Sequence, residues 1–112
     1  MLAKREITRF RNKIGDGCER LPTIFKALSD PGKLPVFEFI FRKSHPVCVT
    51  DVAIIFKIPS STASRLLRTL ETSGLLRKKL VKETVYYAVK KKDPTVRSVI
   101  KMIKTWRKKT NH

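Results

Sequence analysis

At 112 residues and 41% hydrophobic content, the chain has material for one modest core and little for a second. Twenty-six Lys and Arg against nine Asp and Glu leave a net charge of +17; so small a body repels itself at that charge, and a polyanionic partner is the natural counterweight. No apolar run approaches the ~20 residues of a membrane span, and the basic N-terminal stretch lacks a signal peptide's apolar centre. A cytoplasmic chain without membrane contact is expected.

Residues 2–14 set Ala3, Ile7, Phe10 and Ile14 at helical spacing, with Lys4, Arg5, Arg9 and Lys13 between them. That pattern predicts an amphipathic helix with a narrow apolar seam, ended by Gly15-Asp16-Gly17. A second helix fits 21–28, with Pro22 in its first turn, where a missing N–H does no harm. Ser29-Asp30-Pro31-Gly32 signals a turn. The apolar helix that follows, 34–41, must begin close to Pro35. After a loop over 43–46, Thr50 is expected to cap a fourth helix. Asp51 sits at its positive end, and Val52, Ala53, Ile55 and Phe56 form its buried face.

Lys57-Ile58-Pro59 breaks that helix, and Ser60 is expected to cap a fifth, which runs to about Ser73 and stops on Gly74. From Leu75 the period changes to that of two strands, 77–80 and 85–89, around a charged turn at 81–84. Asp93-Pro94 then opens a last helix with Val96, Val99, Ile100, Ile103 and Trp106 on one side. The expected fold is mainly α with a small β-hairpin, in the order α-α-α-α-α-β-β-α. This is a winged helix-turn-helix in a single domain over 1–112, with the helix-turn-helix at about 50–73 and the wing at about 75–89.

Charge is unevenly spread. Residues 60–112 hold fifteen basic and three acidic side chains, a net +12, whereas 1–59 hold eleven and six, a net +5. The fifth helix can bury Ala63, Leu67 and Leu70 while turning Ser61, Thr62, Ser64 and Arg65 outward. Short hydroxyl side chains let a backbone approach base edges in a major groove, and an Arg can fork onto guanine. Those four are the candidate base readers. Ser60, Arg68 and the wing residues Lys78, Lys79 and Lys82 are the candidate phosphate contacts.

No Gly-rich phosphate loop, usefully spaced carboxylate pair or His beside a nucleophile is present, so an enzyme is not expected. No cofactor is expected either. Cys18 and Cys48, without a CxxC, read as ordinary thiols. The expected partner is double-stranded DNA, read in a sequence-specific way. The alternative is a nonspecific nucleic-acid-binding protein, although no sheet aromatics for stacking on single strands stand out.

Several stretches taken in order resemble the ArsR-type repressors: Lys26-Ala27-Leu28-Ser29-Asp30-Pro31, Cys48-Val49-Thr50-Asp51-Val52-Ala53, the run from Ser61 to Leu70, Gly74-Leu75-Leu76-Arg77 and Val85-Tyr86-Tyr87. The resemblance covers roughly residues 22–104. It implies a homodimer that pairs through its first and last helices (2–14 and 94–109) and represses by occupying a promoter. Ala3, Ile7, Phe10, Ile14, Val99, Ile103 and Trp106 are then the candidate interface residues, since a narrow seam suits helical pairing. Where metal-sensing members carry Cys-Val-Cys, this chain has Cys48-Val49-Thr50. Cys48 is left as a lone thiolate candidate and no metal is expected. Lys33 and Pro35 also depart from the family pattern. Lys82 stands at the hairpin tip where Gly is frequent, so the turn must be of another type or strained.

Overall fold

A computed structural model describes residues 1–15 and 20–110, apart from the side chains of 10–15 and 110. The elements in order are α1 (Lys4–Gly15), α2 (Arg20–Leu28), α3 (Lys33–Arg42), β1 (Val47–Cys48), α4 (Val49–Phe56), α5 (Ser60–Thr72), β2 (Leu76–Val81), β3 (Thr84–Val89) and α6 (Pro94–Thr110). The expected mainly helical winged arrangement is present, with one strand more. β1 pairs antiparallel with β3, Val47 opposite Tyr87 and Cys48 opposite Tyr86, giving the sheet order β1-β3-β2. Two residues are too few to show alternation, and β1 is a strand only because β3 lies beside it. Its effect is to tie the start of α4 to the middle of β3.

Two helix caps differ from expectation. α4 starts at Val49, so its N-cap is Cys48 rather than Thr50. Asp51 then falls at the third helical position, and its carboxylate accepts the Cys48 N–H at 3.1 Å, half of a capping box. α5 starts one residue early, with extended Pro59 as N-cap and Ser60 inside the helix. At the far end of α5 the expectation holds. Gly74 has φ +92°, its N–H donates to the Glu71 carbonyl, and the Leu75 N–H donates to the Leu70 carbonyl. This double closure needs a left-handed residue that glycine adopts without strain.

The core draws on every layer: Ile24 from α2, Val36, Phe37 and Ile40 from α3, Val52 from α4, Leu67 and Leu70 from α5, Tyr87 and Val89 from β3, and Val96 from α6. Phe37 meets Phe41 edge-to-face at 5.3 Å, and Phe39 meets Phe56 likewise at 5.8 Å. Ile55, expected inside, is 51% exposed. The inward stripe of α4 is Val49, Val52, Ala53 and Phe56, and Ile55 falls outside that arc. Val99 and Ile103, expected at an interface between chains, are buried in this chain's own core at 4% and 9% exposure. The apolar side chains that α6 exposes are Met102 and Trp106.

α6 is also held to α3 electrostatically. Buried Glu38 receives two hydrogen bonds from Arg107, Nε at 3.0 Å and Nη2 at 2.6 Å, with Arg42 3.9 Å away. This forked pairing pushes the Arg107 pKa up from its already high value, the Glu38 hydrogen bond being the main cause.

Asp93 and Asp30 act at loop ends. The Arg20 guanidinium, at 2.6 Å, is the main reason the Asp93 carboxyl lies below its ordinary 3.8, with the Thr95 N–H adding to it. Asp30 is lowered chiefly by the backbone N–H groups of Gly32 and Lys33. A carboxyl lowered on folding contributes stability that is present above its unfolded value and lost as pH falls through the folded value. Stability should therefore decline as pH drops below about 4. In an acid titration followed by circular dichroism, Asp93→Asn should start less stable and lose less over that range.

The hairpin turn resolves the question of Lys82. Lys82 and Glu83 both have positive φ, 47° and 69°, between the paired residues Val81 and Thr84. A two-residue turn with both central residues left-handed is type I′, whose twist matches that of the strands. Neither residue is Gly or Asn, so both carry left-handed strain. Glu83→Gly should raise stability by about 1 kcal/mol, read as a higher midpoint in urea.

Candidate nucleic-acid interface

α4 reaches α5 through a tight corner. Lys57 is left-handed (φ 53°, ψ 50°) and its N–H donates to the Ala53 carbonyl, as does that of Ile58 at 3.1 Å. Pro59 is extended and cannot continue α4, so the chain turns and α5 begins. α5 buries Ala63, Leu67 and Leu70 completely, each at 0% exposure. Four- and three-residue spacing keeps these side chains on one face.

The opposite face carries the expected readers. Ser61, Arg65 and Arg68 are exposed, and Thr62 and Ser64 are half-buried beside them. None of these five side chains makes a hydrogen bond or ion pair among the described residues. Ser60 is exposed at the helix start, where the first N–H groups have no helical acceptor and the helix dipole favours an anion. Among the described residues its hydroxyl makes no hydrogen bond.

The wing lysines are exposed, but the register separates them. Lys79 lies opposite Tyr86 and Lys78 opposite buried Tyr87, so the two lysines leave opposite faces of the hairpin. Lys82 sits in the turn itself, and Leu80, 67% exposed, is near it.

Two features escaped the sequence reading. Lys57 is an exposed cation at the corner, and its signal was its place directly before Ile58-Pro59. Lys26 and Lys33 share with Arg68 the border of one surface groove, although Lys33 is 3.8 Å from the Asp30 carboxylate. They come from α2 and α3, some forty residues from Arg68 in the chain, and no local pattern joins them.

Cys48 is half-buried with a free thiol. Among the described residues no three His, Cys, Asp or Glu side chains gather as a metal site. Cys18 lies outside the described residues, as do the side chains of Phe10 and Ile14. No described helix is long and apolar enough to cross a membrane.

The sequence profile of the IclR helix-turn-helix domain matches residues 36–80, from α3 into β2. A protein of Synechocystis sp. named as a transcriptional repressor SmtB homolog is 31% identical over 74 residues, which is 66% of this chain and 54% of that protein. The chain thus spans about half the length of this relative. Among solved structures, the domain of Mb0332 from Mycobacterium bovis, described as a homodimeric winged helix-turn-helix DNA-binding domain, is similar with a TM-score of 0.68 at 16% identity. The similarity covers 96% of this chain and 89% of that one. The transcriptional repressor PagR of Bacillus anthracis gives 0.64 at 23% identity, over 77% and 94%. At such identities the two structures establish the fold alone. In sequence the chain is similar to this SmtB homolog, and in fold to winged helix-turn-helix DNA-binding domains.

Proposed function

We propose that the chain is a sequence-specific double-stranded DNA-binding transcription regulator of the cytoplasm, acting as a repressor by occupying a promoter. The observation that carries this reading is α5, whose inner face is fully buried while its outer serines, threonine and arginines have no partner among the described residues. Ser61, Thr62, Ser64 and Arg65 read base edges in the major groove. Ser60, Arg68, Lys57 and the wing residues Lys78, Lys79 and Lys82 hold phosphates on either side.

The test is binding of the purified chain to its own upstream region against random duplex, across a salt series. A preference of ~1,000-fold or more at physiological salt supports the reading. Equal binding to both, collapsing together as salt rises, would replace it with nonspecific coating of nucleic acid.

The regulator is proposed to act as a homodimer through α1 and α6. Residues 1–9 are exposed throughout, Ile7 included, and a helix of twelve residues is marginal in water without packing. Between α2 and α6 a groove of about 330 Å³ is lined by Phe25, Leu28, Leu34, Met102 and Trp106, of which Phe25, Met102 and Trp106 are at least half exposed. The seam Ala3, Ile7, Phe10 and Ile14 of a second copy is the proposed occupant. Met102→Glu places an unpaired charge there and should weaken self-association by about 30-fold or more in sedimentation equilibrium. An unchanged dimer would remove α6 from the interface.

A further inference from the structure

A second concentration of charge lies at the root of the wing. The hairpin runs from a root where Leu76 faces Val89 to a tip where Val81 faces Thr84. At the root a cleft of about 550 Å³ opens between the α3–β1 loop, the start of β2 and the β3–α6 loop. Its rim carries Lys43, Arg77, Lys90, Lys91 and Lys92, and its floor includes buried Ile40 and Val89.

These five cations have no carboxylate partner among the described residues. Asp93 also lines the cleft, but it is already bound by Arg20 at 2.6 Å. Like charges gathered around a concave, low-dielectric wall reinforce one another's field and draw an anion inward. No residue of α5 lines the cleft. Arg77 is five residues from Lys82, roughly 17 Å along an extended strand. A duplex held by α5 and the wing tip leaves these side chains without a role.

We propose that this cleft binds an oligophosphate, a compact chain of linked phosphates carried by a nucleotide or free in solution. Such a group packs several negative charges within a few ångströms. Lysines meet it as point charges and Arg77 as a two-pronged donor. The volume falls within the about 300–1,000 Å³ of small-ligand sites, and the apolar floor can seat a nucleoside. The site adjoins the loop that leads through β1 into α4 and the loop that leads into α6. It is thus linked through short segments of chain to both the helix-turn-helix and the terminal helix, and the proposal stands apart from the DNA reading.

Calorimetric titration of the whole chain with ATP, inorganic tripolyphosphate and adenosine, at ~150 mM salt, tests it. Saturable binding of one phosphate compound per chain is expected, with none for adenosine. ATP binding more tightly than tripolyphosphate identifies a nucleotide, and equal binding identifies the phosphate chain alone. The triple variant Arg77→Gln, Lys91→Gln, Lys92→Gln should bind about tenfold or more weakly. Lys101→Gln, Lys108→Gln, Lys109→Gln removes the same charge from exposed α6 positions and should stay within about twofold. All five side chains of the rim lie outside the core, so the helical signal should persist in both variants. No saturable binding of either phosphate compound up to ~1 mM overturns the proposal, and so does equal weakening in the two triple variants.

Discussion

Arg65→Ala is expected to lower affinity for the preferred duplex by about 10- to 100-fold while leaving random duplex nearly unchanged. Arg65 is exposed on the outer face of α5, one turn on from Ser61 and without a partner among the described residues. Its guanidinium is therefore available to fork onto a base edge. Lys79→Ala removes only a proposed phosphate contact and should weaken both duplexes about equally, with a shallower dependence on salt. Fluorescence anisotropy on the two duplexes separates these outcomes. Equal losses on both for Arg65→Ala would mean that this arginine positions the helix without reading sequence.

Leu67→Ala should cost about 2–5 kcal/mol, a large part of the roughly 5–15 kcal/mol that holds a domain together. Leu67 is fully buried, on the one face by which α5 is attached to α3, α4 and the sheet. The loss includes the cavity left behind as well as the transfer of the missing methyl groups. The expected thermal midpoint falls by roughly 10–25 °C, with DNA binding lost in parallel as the proposed reading helix detaches. Leu80→Ala makes the useful contrast. Leu80 is 67% exposed at the wing, and its truncation should stay within about 0.5 kcal/mol. A Leu67 variant no less stable than the Leu80 variant would show that α5 is anchored elsewhere.

The two variants test different parts of the same helix. Arg65 carries the proposed recognition without holding the fold, and Leu67 holds the fold without touching the proposed ligand. That division follows from the helical period, which sends positions 63, 67 and 70 inward and 61, 65 and 68 outward.

By itself the sequence determined whatever depends on neighbours in the chain. The spacing in α5, the Gly74 stop, the prolines in the first turns of α2 and α3 and the β-branched run of β3 place those elements, because each is set by local sterics and periodicity. The outward set Ser61, Thr62, Ser64, Arg65 and Arg68 was legible for the same reason. Tertiary structure decided the rest. β1 exists because β3 pairs with it, and Cys48 becomes the α4 cap because that pairing ends there. The inward arc of α4 excludes Ile55, and Val99 and Ile103 turn into the chain's own core where a seam between two chains was expected. A stripe of apolar residues has the same period whether it faces its own domain or a second copy, so only packing distinguishes the two. The Glu38–Arg107 pair and the two lysine-lined clefts join residues far apart in the chain, and charge carries no periodic signal by which to foresee them.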